Sequence, residues 1–296
     1  MFLKQNNELN YQNLYIPDNK ILCGGKRINN RGNRKDYLFS IITVVLNNED
    51  FLEQTIKSVI NQGINVEYIL IDGGSTDGTL NIIKKYEKFI DLWISEKDFG
   101  IYDAMNKGIK FSTGNYIGMI NSSDLYNNNA LLTIKNYFIQ NKKIDFVFGT
   151  VHKKLIKSGF KRNKIYWSFD FYPSHSSGFF ISNRAQKKIG LYNINFKLSA
   201  DYDFFFRLIK SNFKGIATKK EDLIGYFMKD GGSFSSSINY YKQFEEEVNI
   251  RLNNKQNIFS IIFVILLNYL MKFIKKKKKF ISIKECIHLI KICIQN

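Results

Sequence analysis

Four acids stand at places where a carboxylate has chemical work to do. Asp72 closes the apolar run VEYILI and opens the turn DGGSTDG, and Asp98 lies in SEKDFG just beyond DLWIS. Asp124 ends NYIGMINSSD, and Asp201 sits in SADYDFFFRL. Burying a lone charge is costly unless something pairs with it, so these acids are expected at the mouth of a site rather than inside a core. One carboxylate suffices to hold a hard divalent cation on a substrate diphosphate, because phosphate oxygens and water complete the shell. Another, suitably placed, takes a proton from a hydroxyl. In IDGGSTDGT the glycines let the backbone approach a ligand closely, and Ser75 and Thr76 stand where free amides of a helix start could meet a diphosphate or a nucleotide edge. Neither a Walker lysine nor a GxGxxG spacing is present, which disfavours an NTPase loop and a dinucleotide fingerprint.

Blander roles compete for the same residues. The 72–79 stretch also reads as an ordinary capped turn, and INSSDLY as an Asx turn closing a strand. Glu96 and Asp203 are read as helix-dipole partners, a reading that applies less well to Asp103, which shares a first helical turn with Tyr102 and Asn106. Asp201 and Asp203 are two apart and do not share a helix face, so different jobs are expected of them, with the role of dipole partner an alternative for Asp201 as well. His175, in YPSHSSGFF, gains interest from the serines around it, whereas His152 and His288 have no such setting.

The elements that must position these groups alternate. FSIITVVL (39–46), VEYILI, DLWIS and NYIGMI are continuous apolar runs of strand length, the form taken by strands covered on both faces. Between them EDFLEQTIKSVINQG carries Phe51, Leu52, Thr55, Ile56, Val59 and Ile60 on one stripe up to Gly63, and IYDAMNKGIKF and ALLTIKNYFIQ are further helices. DFVFGT is a fifth strand; beyond 150 the pattern loosens, with SGFFIS a strand and NRAQKKIGLY and SADYDFFFRLIKS helices. Such βαβ alternation predicts a mostly parallel sheet that binds ligands outside the carboxyl ends of its strands, which puts Asp72, Asp98 and Asp124 on one rim. Residues 1–38 are polar, basic and without period, and read as a loosely attached arm; KDGGSFSSS (229–237) reads as a lid or linker.

At 296 residues, 44% hydrophobic, the chain can bury a sizeable core. Three cysteines without CxxC spacing point to a reducing compartment and away from zinc, and MFLKQNNELN has no signal-peptide core. Of the net charge of +18, half lies from residue 251 onward, where ten basic residues face Glu285 alone. NIFSIIFVILLNYLMKFI (257–274), interrupted by Asn268 and Lys272, is short for a spanning helix and runs into KKKKK. Interfacial attachment to an anionic lipid surface is therefore expected for 239–296, with a buried helix and a solvated lysine run as the alternative. No aromatic-basic platform or zinc-finger spacing supports nucleic-acid binding.

Taken in order, ITVVLNN, IDGGSTDGT, SEKDFGIYDAMNKGI, INSSD and SADYDFFFRL resemble the inverting family 2 glycosyltransferases of GT-A fold, and among them bacterial enzymes of O-antigen, capsule and colanic acid assembly. The resemblance covers about 39–232 and implies an α/β GT-A domain over 39–238, with a mostly parallel central sheet flanked by helices and a basic amphipathic helical tail over 239–296. It implies donor binding by Thr43, Asn47, Asp72, Gly73, Ser75, Asp98, Gly100, Tyr102, Asp103, Asn106 and Asp124, with Asp98 and Asn106 lining the nucleotide pocket. Asp124 matches the last acid of the DxD-like motif that holds Mn2+ or Mg2+, with Ser123 in place of the preceding acid. Asp201 matches the catalytic base, with Ala200 in place of the usual glutamate, and His175 is a candidate for acceptor or diphosphate. The implied partners are a UDP-sugar and an undecaprenyl diphosphate-linked sugar at the cytoplasmic face of the inner membrane. Hexose transfer from UDP-glucose or UDP-galactose is the first reading; N-acetylhexosamine transfer, or sugar-nucleotide binding without catalysis, are the others.

Overall fold

The chain enters the fold through a short strand, Leu22–Gly24 (β1), and one helical turn, Lys26–Asn29 (α1), in a computed structural model that describes residues 22–29, 36–169, 171–174, 176–228, 240–274 and 282–295. The expected alternation follows: Phe39–Val45 (β2), Glu49–Ile60 (α2), Val66–Asp72 (β3), Thr79–Lys85 (α3), Leu92–Ser95 (β4), Ile101–Phe111 (α4) and Tyr116–Asn121 (β5). Then come Leu125–Tyr126 (β6), Ala130–Gln140 (α5), Phe146–Phe148 (β7), Thr150–Lys153 (β8), Leu155–Lys157 (β9) and Lys164–Trp167 (α6). Phe179–Ser182 (β10), Asn183–Ile189 (α7), Ala200–Lys210 (α8), Gly215–Ala217 (β11) and Leu223–Tyr226 (β12) complete the α/β part. Tyr240–Asn253 (α9), Ile258–Ile274 (α10) and Ile283–Gln295 (α11) form the tail.

An eight-stranded sheet runs in the order β1-β4-β3-β2-β5-β10-β7-β11. Its centre, β4-β3-β2-β5, is parallel, while β1 and β10 pair antiparallel on either side. All seven residues of β2 are buried, which is why FSIITVV shows no polar alternation. Ile42 and Val44 face one hydrophobic layer, shared with α4 and α8; Phe39, Ile41 and Val45 face the other, shared with α2 and α5. The strand order reverses at β2, since β3 and β4 lie to one side and β5 to the other; that switch point is where such sheets open a crevice. Register aligns Val45 with Asp72 and Asp72 with Ser95, so the strand ends form an even rim. A second sheet, β6-β12-β8-β9, stands beside it.

Two segments differ from expectation. Within 1–38, read as a loose arm, residues 22–29 extend the sheet: β1 pairs with β4, Arg27 forms an ion pair with the buried Glu67 and donates to the Phe111 carbonyl (2.8 Å), and Lys26 meets Asp91 at 3.1 Å. A three-residue strand is too short to show a period, and its partners lie more than 60 positions away. The tail, read from sequence as a lipid-facing region, has a core of its own in which Phe244, Val248, Ile261, Val264, Ile265, Cys286, Leu289 and Cys293 close over Phe169. Arg251, fully buried, fastens it by donating to the carbonyls of Tyr166 (2.9 Å) and Ser168 (3.0 Å), with its guanidinium 4.5 Å from the Phe169 ring. Across the opposite face of α10, Phe259, Phe263, Leu266, Leu267 and Leu270 remain exposed. Among the described residues no helix is long and apolar enough to cross a membrane. The 229–237 loop and the lysine run 275–279 lie outside the described residues.

Candidate active site

Three loops leave the carboxyl rim at β2, β3 and β5, and hydrogen bonds sew them together. The backbone N–H of Asn47 donates to Ser75 Oγ (2.8 Å), and its side-chain oxygen accepts from the Thr76 N–H (2.8 Å). Asn47 adopts φ 48°, a left-handed conformation that asparagine tolerates better than most residues. Asn48 reaches both ways, its N–H to Thr79 Oγ1 (2.9 Å) and its Nδ2 to Ser122 Oγ (2.7 Å), so it bridges the switch point. From α2, Thr55 Oγ1 donates to the carbonyls of Ser122 (2.8 Å) and Asp124 (2.9 Å), fixing the turn after β5.

Asp72 is fully buried and accepts from the Ser75 N–H (3.1 Å), the Ser75 hydroxyl (2.5 Å) and the Ser95 hydroxyl (2.5 Å). Its charge is thereby spent on shaping the 73–78 turn and tying it to β4. Charge-assisted hydrogen bonds contribute about 1.5–3 kcal/mol each, and the neighbouring hydroxyls can re-pair in part. Asp72→Ala is therefore expected to lower stability by about 2–3 kcal/mol, read as a shift of the urea midpoint at unchanged slope. Asp98 lies over the same turn: a side chain on Gly73 would collide with its carboxylate. Gly100, at φ 114°, donates its N–H to Asp98 Oδ1 (2.8 Å) and starts α4.

Asp201 opens α8 and faces the same end of the sheet. Its Oδ1 accepts from the Tyr102 hydroxyl (3.1 Å), the Tyr172 hydroxyl (3.5 Å) and the Tyr202 N–H (2.9 Å). Burial first, then the charge of Asp201, push both phenols well above their usual range, so they stay protonated and act as donors. On α9, Glu246 accepts from three consecutive backbone N–H groups, Lys197, Leu198 and Ser199, each at 2.9 Å, and so sets the chain just ahead of Asp201.

Asp124 is closed off from solvent after β5. Lys153 stands at the end of β8. Burial lowers the pKa of its ammonium and Lys157 lowers it further, while Asp124 and Asp201 both raise it. Register in the second sheet sets Leu125 opposite Tyr226 and Tyr226 beside His152, so the strand that follows Asp124 lies two strands from β8, and Lys153 also rests 4.0 Å over the Phe227 ring.

Other expected site residues are placed differently. Thr43 is buried two residues below the rim and shares a hydrogen bond with the Tyr68 hydroxyl (3.0 Å). Asn106 spends its amide on Tyr192, donating to its carbonyl (2.9 Å) and accepting from its N–H (2.8 Å), and so ties α4 to the segment before α8. Asp103 accepts from the Phe99 N–H (3.1 Å) and lies 3.5 Å from Lys107, roles of a helix start. Asp203 pairs with Arg207 at 2.8 Å inside the fold. His175 lies outside the described residues. Sequence reasoning does not single out Lys153, Tyr172, Asn48 or Glu246, whose roles rest on partners distant in the chain.

The arrangement, hydrogen-bonded loops around the switch-point cleft with the half-buried Asp201 at the start of α8, suits a polar, anionic substrate and proton transfer. Residues 40–210 match the family model described as glycosyl transferase family 2. An uncharacterized glycosyltransferase of Mycobacterium tuberculosis is 30% identical over 177 residues, 57% of this chain and 67% of that protein. Among solved structures, S. aureus TarS 1-349 in complex with UDP-GlcNAc superposes with a TM-score of 0.62 at 17% identity, over 87% of this chain and 80% of that one. The mannosyltransferase PcManGT of Pyrobaculum calidifontis, solved with GDP-Man and Mn2+, gives 0.58 at 13% identity, over 75% and 66%. The fold is thus the GT-A type, and since the match to the family model includes the strand-end loops and α8 that carry this cleft, the chain belongs to glycosyl transferase family 2.

Proposed function

We propose that the protein is an inverting hexosyltransferase that moves glucose or galactose from a UDP-sugar to an undecaprenyl diphosphate-linked N-acetylhexosamine in surface-polysaccharide assembly. The observation that supports this reading is the placement of both acids at the carboxyl end of the parallel strands, Asp124 after β5 and Asp201 against Tyr102 in the first turn of α4, which follows β4. The sewn loops around Asn47, Asp72, Gly73, Ser75 and Asp98 take the nucleotide on the other side of the switch point. Asp201, oriented by Tyr102 and Tyr172, accepts the proton of the acceptor hydroxyl as that oxygen attacks the anomeric carbon. The bond to the donor diphosphate breaks in the same displacement, so an α-linked donor yields a β-linked product.

Asp124 follows Ser122 and Ser123, and no group of three His, Cys, Asp or Glu among the described residues is arranged to hold a metal. Such a donor set fits a manganese or magnesium ion that draws its other oxygens from a diphosphate and water, and it does not fit a metal held by protein alone. When bound, that cation offsets the charge of the departing diphosphate. PcManGT, solved with Mn2+, supports this. The exposed aliphatics of α10 and the lysines beyond it support attachment to the cytoplasmic face of the inner membrane, where a lipid-linked acceptor is met.

TarS, solved with UDP-GlcNAc, favours N-acetylhexosamine transfer as the second reading. A panel of UDP-sugars offered with a synthetic lipid diphosphate acceptor and Mn2+, with product stereochemistry read by NMR, tests both. A β-linked hexose product is expected. A β-linked N-acetylhexosamine favours the second reading, and no UDP release from any donor sinks both.

A further inference from the structure

The second sheet ends in the hairpin β8–β9, which leaves β9 as an outer strand. Its turn is Lys154 at φ 54°, and it pairs Lys153 with Leu155 and His152 with Ile156. Two large aliphatics stand in solvent there, Leu155 at 78% and Ile156 at 48% exposure, with Lys154 and Lys157 beside them. Lysines on an outer strand are a common guard against pairing with another chain, but that role explains the lysines and leaves the exposed leucine and isoleucine without a reason. Aliphatics flanked by positive charge match an anionic lipid surface, where a basic amphipathic element buries its apolar side about 5–10 Å into the headgroup boundary.

The position of the hairpin adds a second argument. Lys153 rests over Phe227, and Tyr226 pairs both with His152 and with Leu125, the residue after Asp124, while Lys154, Leu155 and Ile156 form the exposed tip. At about 4.8 Å between paired strands, the base of the hairpin at His152 is only about 10 Å from Leu125 beside Asp124. We propose that Leu155 and Ile156 form a wedge that enters the headgroup layer of an anionic bilayer and holds the mouth of the cleft at the depth where a lipid diphosphate presents its sugar. The proposal rests on the membrane-borne acceptor proposed above, and it concerns a contact separate from α10.

The test uses the full chain and the double variant Leu155→Ser/Ile156→Ser, whose exposed positions leave the core intact. Partition is measured by co-sedimentation with phosphatidylcholine vesicles with and without phosphatidylglycerol, alongside UDP release from a UDP-sugar without vesicles. About tenfold weaker partition of the variant onto the anionic vesicles, at unchanged UDP release, is expected. Lys154→Glu should reduce partition severalfold on anionic vesicles alone, since one lysine near such a surface is worth roughly a fivefold change. Partition of the double variant within twofold of wild type overturns the wedge. So does a wild-type dimer in sedimentation equilibrium that the variant dissolves, because the tip would then cover a second copy. If neither protein releases UDP while the partition difference persists, the wedge stands and the transferase reading fails.

Discussion

Asp201→Asn is expected to lower sugar transfer about 10³-fold, the middle of the range for a general base, while UDP binding measured by calorimetry stays within about twofold. The substitution is nearly isosteric and keeps an oxygen for the three donors that converge on Oδ1, the hydroxyls of Tyr102 and Tyr172 and the N–H of Tyr202. Fold and loop geometry are therefore preserved, and the loss reports the proton acceptor. Transition-state stabilisation is removed without substrate binding, so kcat falls and the donor KM holds. A residual rate within tenfold of wild type would exclude Asp201 as the base.

Glu246→Ala is expected to lower kcat about 10²-fold and stability by about 2–4 kcal/mol, although the residue lies beyond the 40–210 span of the family match. Its carboxylate gathers the N–H groups of Lys197, Leu198 and Ser199 two residues before Asp201. Three charge-assisted bonds at about 1.5–3 kcal/mol each would total more, but Lys197 is exposed and water replaces part of the loss. Without that clamp the start of α8 shifts, and small misplacements of a catalytic group cost about 10²-fold. Glu246→Gln keeps one acceptor oxygen and should recover more than half of the activity loss on a free-energy scale. Stability and kcat are read from urea midpoints and steady-state rates; an alanine variant with kcat within twofold of wild type contradicts the positioning role.

This dependence of Asp201 on α9 alters the view of the tail reached from composition alone. Residues 239–296 have the character of an appendage: apolar, basic and outside the motif-bearing region. Yet Arg251 is buried among Tyr166, Ser168 and Phe169, and Glu246 holds the chain beside the cleft. Local composition reports which surfaces are apolar but not which of them another part of the chain will cover. On α10 both outcomes occur, with Ile261, Val264 and Ile265 inside and Phe259, Phe263 and Leu270 exposed.

Fully buried strands write themselves into sequence as unbroken apolar runs, so β2, β3, β4 and β5 were legible, as were α2, α4, α5 and α8 between and after them. The turn IDGGSTDGT and the acids at strand ends could be placed on the carboxyl rim for the same reason, but their exposure could not: Asp72 and Asp124, expected at the mouth of a site, are closed off from solvent, Asp72 by the hydroxyls of Ser75 and Ser95 folded onto it. The hairpin β8–β9 could not, since short exposed strands carry no clear period. Nor could the use of each amide be read: Asn106 occupies a motif position, yet only packing against Tyr192 decides that its side chain faces the protein.

What the sequence by itself determined is the mostly parallel sheet and the rim on which Asp72, Asp98 and Asp124 stand, because burial and periodicity are local properties of a chain. What only the tertiary structure decided is the company each acid keeps. Tyr102 meets Asp201 across 99 positions, and Glu246 reaches Ser199 across 47. Those meetings depend on how crossovers and helices pack, which no window of neighbouring residues contains.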